Sequence, residues 1–227
     1  MKNVIITGPT GMIGNIALHL CLEREDVGKV TTITRRPTGI SHEKLNEVIH
    51  SDFLNDGPIA DHLKDQDVAL YCIGVYTGAV PDDEFIRITV DYTKAFADAL
   101  IAQNNNHTSR LTFCFLSGAG ADQTEKSRMI FARTKGAAEK YLQEQNFGSL
   151  HIFRPGYIFP VTPRREPNTT YRIMRSLYPI ISKVYPNIGI SSEDLARVMV
   201  EKGLEGGGSE DGGNVIHENR DIRNLRR

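Results

Sequence analysis

The sequence is poor in several of the features that narrow a protein's class. It has no tryptophan and only three cysteines, Cys21, Cys72 and Cys114. Their number is odd and their spacing fits no metal site, so a disulfide framework is not expected and buried free thiols in a reducing compartment are. Neither sign of charge dominates: 27 basic and 28 acidic side chains give a formal net charge of −1. This removes the electrostatic case for a nucleic-acid or anionic-membrane partner. No apolar run is long enough to span a bilayer, and residues 1–3 lead directly into an apolar strand pattern, so neither a membrane anchor nor a secretory leader is expected and the location is read as cytoplasmic. There is no internal repeat and no linker. The 227 residues, 40% hydrophobic and 24% charged, are expected to form a single α/β domain with a sizeable core.

What is present begins at the amino terminus. The run Val4-Ile5-Ile6-Thr7 ends in Gly8, glycines recur at 11 and 14, and Ile13, Ile16, Ala17, Leu20 and Cys21 then follow at helical spacing. Strand, glycine turn and helix in this order point to nucleotide binding. Gly8 turns the chain off the strand, Gly11 leaves room for a pyrophosphate at the helix N-terminus, and Gly14 lets the helix approach the sheet.

Further strands are predicted at 29–34, 47–50, 68–73, 111–116 and 150–153, with an edge strand at 214–217. Helices are predicted at 58–65, 83–102, 125–144 and from Ser192 to about 201. The 68–73 and 111–116 segments are continuous apolar runs, the pattern of strands buried on both faces of a parallel sheet. The alternation predicts a doubly wound, Rossmann-type parallel sheet. After Phe159 the rhythm breaks. Prolines 160, 163 and 167 mark a loop, 170–184 reads as a partly helical cap, and 203–213 is a glycine-rich acidic loop, so 160–213 is read as a small cap or substrate segment. The cap is basic, with Arg164, Arg165, Arg172, Arg175 and Lys183 against Glu166. A polar tail closes the chain.

Open parallel sheets bind ligands beyond the carboxyl ends of their strands, and the chemically loaded loops here all follow strands. Candidate cofactor contacts are Gly8, Thr10, Gly11, Met12, Ile13 and Gly14; Arg35 and Arg36 after the second strand; Asp52 and Phe53, placed under an adenine; Cys72, Ile73 and Gly74; and Pro155 and Gly156. No acid lies between Val30 and Pro37. An acid there would bond ribose hydroxyls and repel a phosphate, whereas Arg35 and Arg36 can clamp a 2′-phosphate, so NADP is favoured over NAD.

These residues resemble a known family. Thr-Gly-x-x-Gly-x-x-Gly at Thr7–Gly14, Cys72-Ile73-Gly74, Leu116-Ser117-Gly118, Lys135 within Phe131-Ala132-Arg133-Thr134-Lys135-Gly136-Ala137-Ala138-Glu139, Phe153-Arg154-Pro155-Gly156, Val90-Asp91-Tyr92 and Glu218-Asn219-Arg220-Asp221-Ile222 look like the extended or atypical short-chain dehydrogenase/reductases, in particular the Tat-interacting-protein-like, NmrA-like proteins. The resemblance implies oxidoreductase chemistry, with a Tyr as acid/base, a Lys four residues on that holds the nicotinamide ribose, and a Ser on the substrate oxygen. Ser117 and Lys135 match; the Tyr position is Phe131, expected to pack against Ala138 and Leu142. A phenyl group has no proton to give. Tyr76, Tyr157 or a water held by Ser117 are the candidate substitutes, and Tyr76, Ser117 and Lys135 are the candidate catalytic set. Three functions follow: an NADP(H) oxidoreductase on a small carbonyl-type substrate; a non-catalytic NADP(H) sensor acting through a protein partner; or a sugar-nucleotide epimerase or dehydratase, for which the substrate half is short. No metal site is expected.

Overall fold

The computed structural model describes residues 1–104, 108–162, 176–178, 181, 185–206 and 213–226. Seven strands form one parallel sheet: β1 (Lys2–Thr7), β2 (Val27–Thr34), β3 (Leu45–Ile49), β4 (Val68–Tyr71), β5 (Thr112–Leu116), β6 (Ser149–Arg154) and β9 (Asn214–Glu218). Their order is β3-β2-β1-β4-β5-β6-β9, and every pairing is parallel. The chain winds outward from β1 in one direction through β2 and β3, then returns to β4 on β1's other side and winds the opposite way. The crevice between the carboxyl ends of β1 and β4 is therefore the topological switch point, where doubly wound sheets bind ligands. A second, two-stranded parallel sheet pairs β7 (Tyr157–Phe159) with β8 (Gly189–Ser191).

The sheet buries both faces, as the apolar runs require. Val4, Ile6, Val68, Leu70 and Cys114 face α1 (Met12–Glu23) and α5 (Ser192–Glu205). Their neighbours Ile5, Ala69, Tyr71, Phe113 and Phe115 face α3 (Tyr92–Gln103) and α4 (Ile130–Gln143). Each such fully buried aliphatic or aromatic side chain stabilises the fold by about 1.5–3 kcal/mol before conformational entropy is subtracted.

Several expected boundaries are corrected. The helix expected over 83–102 is α2 (Asp82–Ile86), a π-helical segment Arg87–Asp91 and then α3. The helix expected from 125 starts at Ile130, because Asp122 takes up the preceding amides. Its carboxylate accepts from the backbone N–H groups of Thr124, Lys126 and Ser127 and from the Thr124 hydroxyl, and Glu125 adopts a left-handed φ of 61°. The 58–65 helix is a 3-10 turn, Gly57–Leu63, and β4 ends at Tyr71 rather than Ile73. The polar tail is a helix, α6 (Asn219–Leu225), closed by a capping box between Glu218 and Asp221 and anchored by the buried Ile222. The N-cap expected before α5 is present: Ser191 Oγ accepts from the Asp194 amide at 3.0 Å.

Of the cap segment, Ser176 to Tyr178 are helical, and Tyr178 stacks on Phe159 with centroids 4.9 Å apart. Arg164, Arg165, Glu166, Arg172, Arg175 and Lys183 lie outside the described residues, as does most of the glycine-rich loop. All three cysteines are free thiols. Burial pushes those of Cys21 and Cys72 up to about 12 and raises that of Cys114 as well. Among the described residues, no helix is long and apolar enough to cross a membrane and no cluster of His, Cys, Asp and Glu could hold a metal.

Candidate functional site

The turn after β1 is built so that only glycine fits. Gly8 has φ +69°, and a Cβ there would lie 2.9 Å from the Cys72 carbonyl oxygen. A Cβ on Gly14 would lie 2.2 Å from the Gly8 carbonyl oxygen, so α1 meets β1 backbone to backbone. The Gly11 amide closes the turn onto the Gly8 carbonyl at 2.9 Å. Gly11 is the N-cap of α1, and no side chain caps that end. The first-turn amides, from Met12 and Ile13 onward, therefore point out of the helix with no intrahelical acceptor, next to the positive end of the helix dipole. Ile13 is 3% exposed, so its side chain belongs to the core and only its backbone can serve a ligand. Thr10 and Gly11 are exposed.

Across the crevice, the Cys72 amide bonds to Thr7 Oγ1 at 3.2 Å, and Gly74 follows in the open. A Cβ at Gly74 would meet nothing within 4 Å. Gly74 thus faces open space on the loop whose Cys72 and Ile73 backbone abuts Gly8, an arrangement that fits a nucleotide's ribose and diphosphate at the switch point. The structure brings together the loops after β1 and β4 as expected.

Arg35 and Arg36 stand just past β2 and are exposed, with the backbone pinned by Thr34 Oγ1 donating to the Arg36 carbonyl at 2.9 Å. Neither guanidinium has a hydrogen-bond or ion-pair partner among the described residues. The loop after β3 is more divided than the sequence suggested. Asp52 is exposed, but the Phe53 ring is 5% exposed and tilted against Tyr92 at 5.5 Å, so its ring is core and Asp52 is the loop's available group. In the same loop, buried Asp56 lies 3.4 Å from His50 Nε2, and desolvation pushes the Asp56 carboxyl up to about 6.

Ser117 and Lys135 meet at the carboxyl end of β5. Lys135 is 8% exposed; its Nζ donates to the Leu116 carbonyl at 2.9 Å and sits 4.9 Å from the Phe115 ring centroid. Burial pulls its ammonium down to about 8, against the opposing pull of Glu139. Phe131, one turn before Lys135, lies over the Ser117–Gly118 loop, with its Cζ 2.5 Å from where a Gly118 Cβ would be. The expected packing on Ala138 and Leu142 is not what holds it; those two pack into the core under the sheet. Tyr76 is half-buried in the loop after β4. Tyr157 opens β7 and packs on Tyr178 at 5.4 Å. Pro155 is buried, its carbonyl accepting from the Ala119 amide at 2.8 Å. The Gly156 amide donates to Asn219 Oδ1 at 2.9 Å.

Glu139, which neither motif spacing nor apolar periodicity singles out, is fully buried. Its carboxylate accepts from Ser117 Oγ at 2.5 Å, Gln123 Nε2 at 2.9 Å, and Arg154 Nε and Nη2 at 3.0 and 2.5 Å. Arg154 also reaches Glu218 at 2.9 Å. The available signal was an acid four residues after Lys135, on the same helix face as the apolar Ala132 and Leu142.

A switch-point crevice with a helix N-terminus that no side chain caps on one side and an open glycine on the other strand-end loop defines a Rossmann-type dinucleotide-binding protein. The comparisons agree. A sequence profile described as NAD(P)H-binding matches residues 8–202, and the chain belongs to that family. Protein HTATIP2 of Rattus norvegicus is 31% identical over 159 residues, covering 69% of this chain and 63% of that protein. The mitochondrial protein FMP52 of Meyerozyma guilliermondii is 28% identical, covering 68% of this chain and 64% of its own length. The match thus spans less than two thirds of either relative. A short-chain dehydrogenase/reductase from Saccharomyces cerevisiae superposes with a TM-score of 0.70 at 13% identity, covering all of both chains. The enzyme WbmH of Bordetella bronchiseptica, solved with NAD+, superposes at 0.65 with 21% identity, covering 95% of this chain and 75% of that one. These likenesses establish the short-chain dehydrogenase/reductase fold.

Proposed function

We propose that the chain binds NADP(H) in the β1–β4 crevice and is an oxidoreductase on a small carbonyl-type substrate. The observation that carries the reading is the uncapped N-terminus of α1 at the switch point, reached over glycines that admit no side chain. The diphosphate would lie over Gly11 on the amides of Met12 and Ile13, since the Gly11 amide is spent on the Gly8 carbonyl, and Gly74 would pass beside the ribose. Arg35 and Arg36, without partners among the described residues, would hold the 2′-phosphate and select NADP over NAD. Asp52 would meet the adenine, and Lys135 the nicotinamide ribose. Bound there, the dinucleotide would supply or accept the hydride.

Phe131 orients by packing alone and carries no proton, so a substrate oxygen must obtain its proton from Tyr76, Tyr157 or water. The same observation favours a second reading, an NADP(H)-binding regulator without turnover that acts through a protein partner. A fluorescence titration with NADPH followed by a carbonyl screen separates them. Turnover that collapses in Lys135→Ala or Tyr76→Phe supports the enzyme; tight binding, no turnover and no gain in Phe131→Tyr supports the regulator. A cytoplasmic location is part of the proposal, against the mitochondrial names of the fungal relatives, and cell fractionation decides it.

A further inference from the structure

Ser117 occupies the position from which this fold's chemistry is expected to donate a hydrogen bond to a substrate oxygen, yet its one hydroxyl hydrogen is already committed. Glu139 Oε1 lies 2.5 Å from Ser117 Oγ. A carboxylate held by both Nε and Nη2 of Arg154, at 3.0 and 2.5 Å, is ionised and can only accept. Gln123 Nε2 adds a further donor to its other oxygen. Nothing in this cluster leaves Glu139 a proton, so the hydrogen between the two oxygens comes from the serine. Ser117 Oγ then offers its surroundings lone pairs only, and donation into a charged acceptor makes those lone pairs better acceptors. On the adjoining side of the loop, the Phe131 ring fills the space over Gly118 and brings no polar atom.

We propose that Glu139, held by Arg154, is a positioning residue that fixes Ser117 as a hydrogen-bond acceptor, so that the site selects the hydroxyl form of its substrate over the carbonyl form. The proposal rests on the oxidoreductase reading above and sets the order of affinity within its alcohol–carbonyl interconversion: the alcohol form binds in preference, its O–H donating to Ser117 Oγ, whereas a carbonyl oxygen placed there faces lone pair against lone pair.

The test uses a pair of equal shape and opposite hydrogen-bonding polarity, cyclohexanol and cyclohexanone, titrated by ligand-observed NMR against the full chain with and without saturating NADP+. One hydrogen bond made or denied predicts roughly tenfold tighter binding of cyclohexanol. Ser117→Ala, in which Glu139 keeps Arg154 and Gln123, should bring the two affinities together. Glu139→Gln, whose amide can donate to Ser117 and turn its hydrogen outward, should reverse the order; if that variant does not fold, Ser117→Ala decides alone. A second readout is the Ser117 hydroxyl proton, expected as a slowly exchanging downfield resonance with a contact to Glu139 and absent in Ser117→Ala. Equal or ketone-favoured binding by the unmodified chain, binding of neither compound, a preference that survives Ser117→Ala, or a hydroxyl proton directed away from Glu139 would each overturn the proposal. Failure of NADP+ itself to bind would instead strike the cofactor reading, while the hydroxyl resonance would still report how Ser117 points.

Discussion

Replacing Gly74 by alanine separates what the fold needs from what a ligand needs. A Cβ at this position meets no atom within 4 Å, and the residue does not use the left-handed region. The folded protein therefore has no steric reason for glycine, and Gly74→Ala should stabilise the free chain by about 0.4–1 kcal/mol through the lower entropy of the unfolded state. For a chain of this size that raises Tm by roughly 1–4 °C. The added methyl enters open space on the loop that abuts the Gly8 turn. If a dinucleotide passes there, overpacking of about 1–3 kcal/mol weakens NADPH binding about five- to 150-fold. Gly14→Ala is the contrasting control: its Cβ would lie 2.2 Å from a backbone oxygen, so stability and binding should fall together. Differential scanning fluorimetry without ligand and an NADPH fluorescence titration read the two effects. A Gly74→Ala protein that is no less stable and binds NADPH as tightly as the parent would refute the placement of the ribose and diphosphate in this crevice.

Other substitutions probe the remaining parts. Arg35→Asp should cost NADPH affinity on the order of 10- to 100-fold, the worth of a charge-assisted contact, while leaving NADH nearly unchanged; equal losses for both nucleotides would rule out the phosphate clamp. Phe131→Tyr places a phenol one turn before Lys135 and should raise any carbonyl turnover about a hundred- to ten-thousand-fold, measured as NADPH oxidation; an unchanged rate would show that a phenol at this position does not limit the chemistry. The pair His151 and His217, with Nδ1 and Nε2 3.0 Å apart, makes stability acid-sensitive. Burial pulls both imidazoles down, His217 to about 4. Since the folded value lies below the unfolded one near 6.5, the unfolded chain binds more protons between those values, and stability falls as pH drops from about 6.5 toward 4, by up to about 3 kcal/mol from His217. Chemical denaturation across that range should show the slope, and His217→Gln should flatten it.

The geometry of the candidate site was legible where it depends on glycines and strand ends, because their chemistry is local. The three spaced glycines, the arginines after β2 and the Ser117 and Lys135 pair each announced themselves by residue type at a fixed offset from an apolar run. What was not legible depends on contacts far apart in sequence. Glu139 reads as one more charge on an exposed helix until β6 brings Arg154 beside it. Phe53 reads as a ligand contact until Tyr92 covers it. Helix α6 was hidden because its N-cap is a glutamate rather than a residue favoured at that position, with Ile222 as its buried anchor. The late start of α4 follows from Asp122 drawing the amides of the preceding loop, a side-chain competition that apolar periodicity does not register.

The most direct trial of the dinucleotide assignment is a crystal structure of the chain grown with saturating NADP+. The account predicts the diphosphate over Gly11 on the amides of Met12 and Ile13, with the 2′-phosphate against Arg35 or Arg36. Nucleotide density elsewhere, or a β1–β4 crevice without nucleotide at saturation, would contradict it.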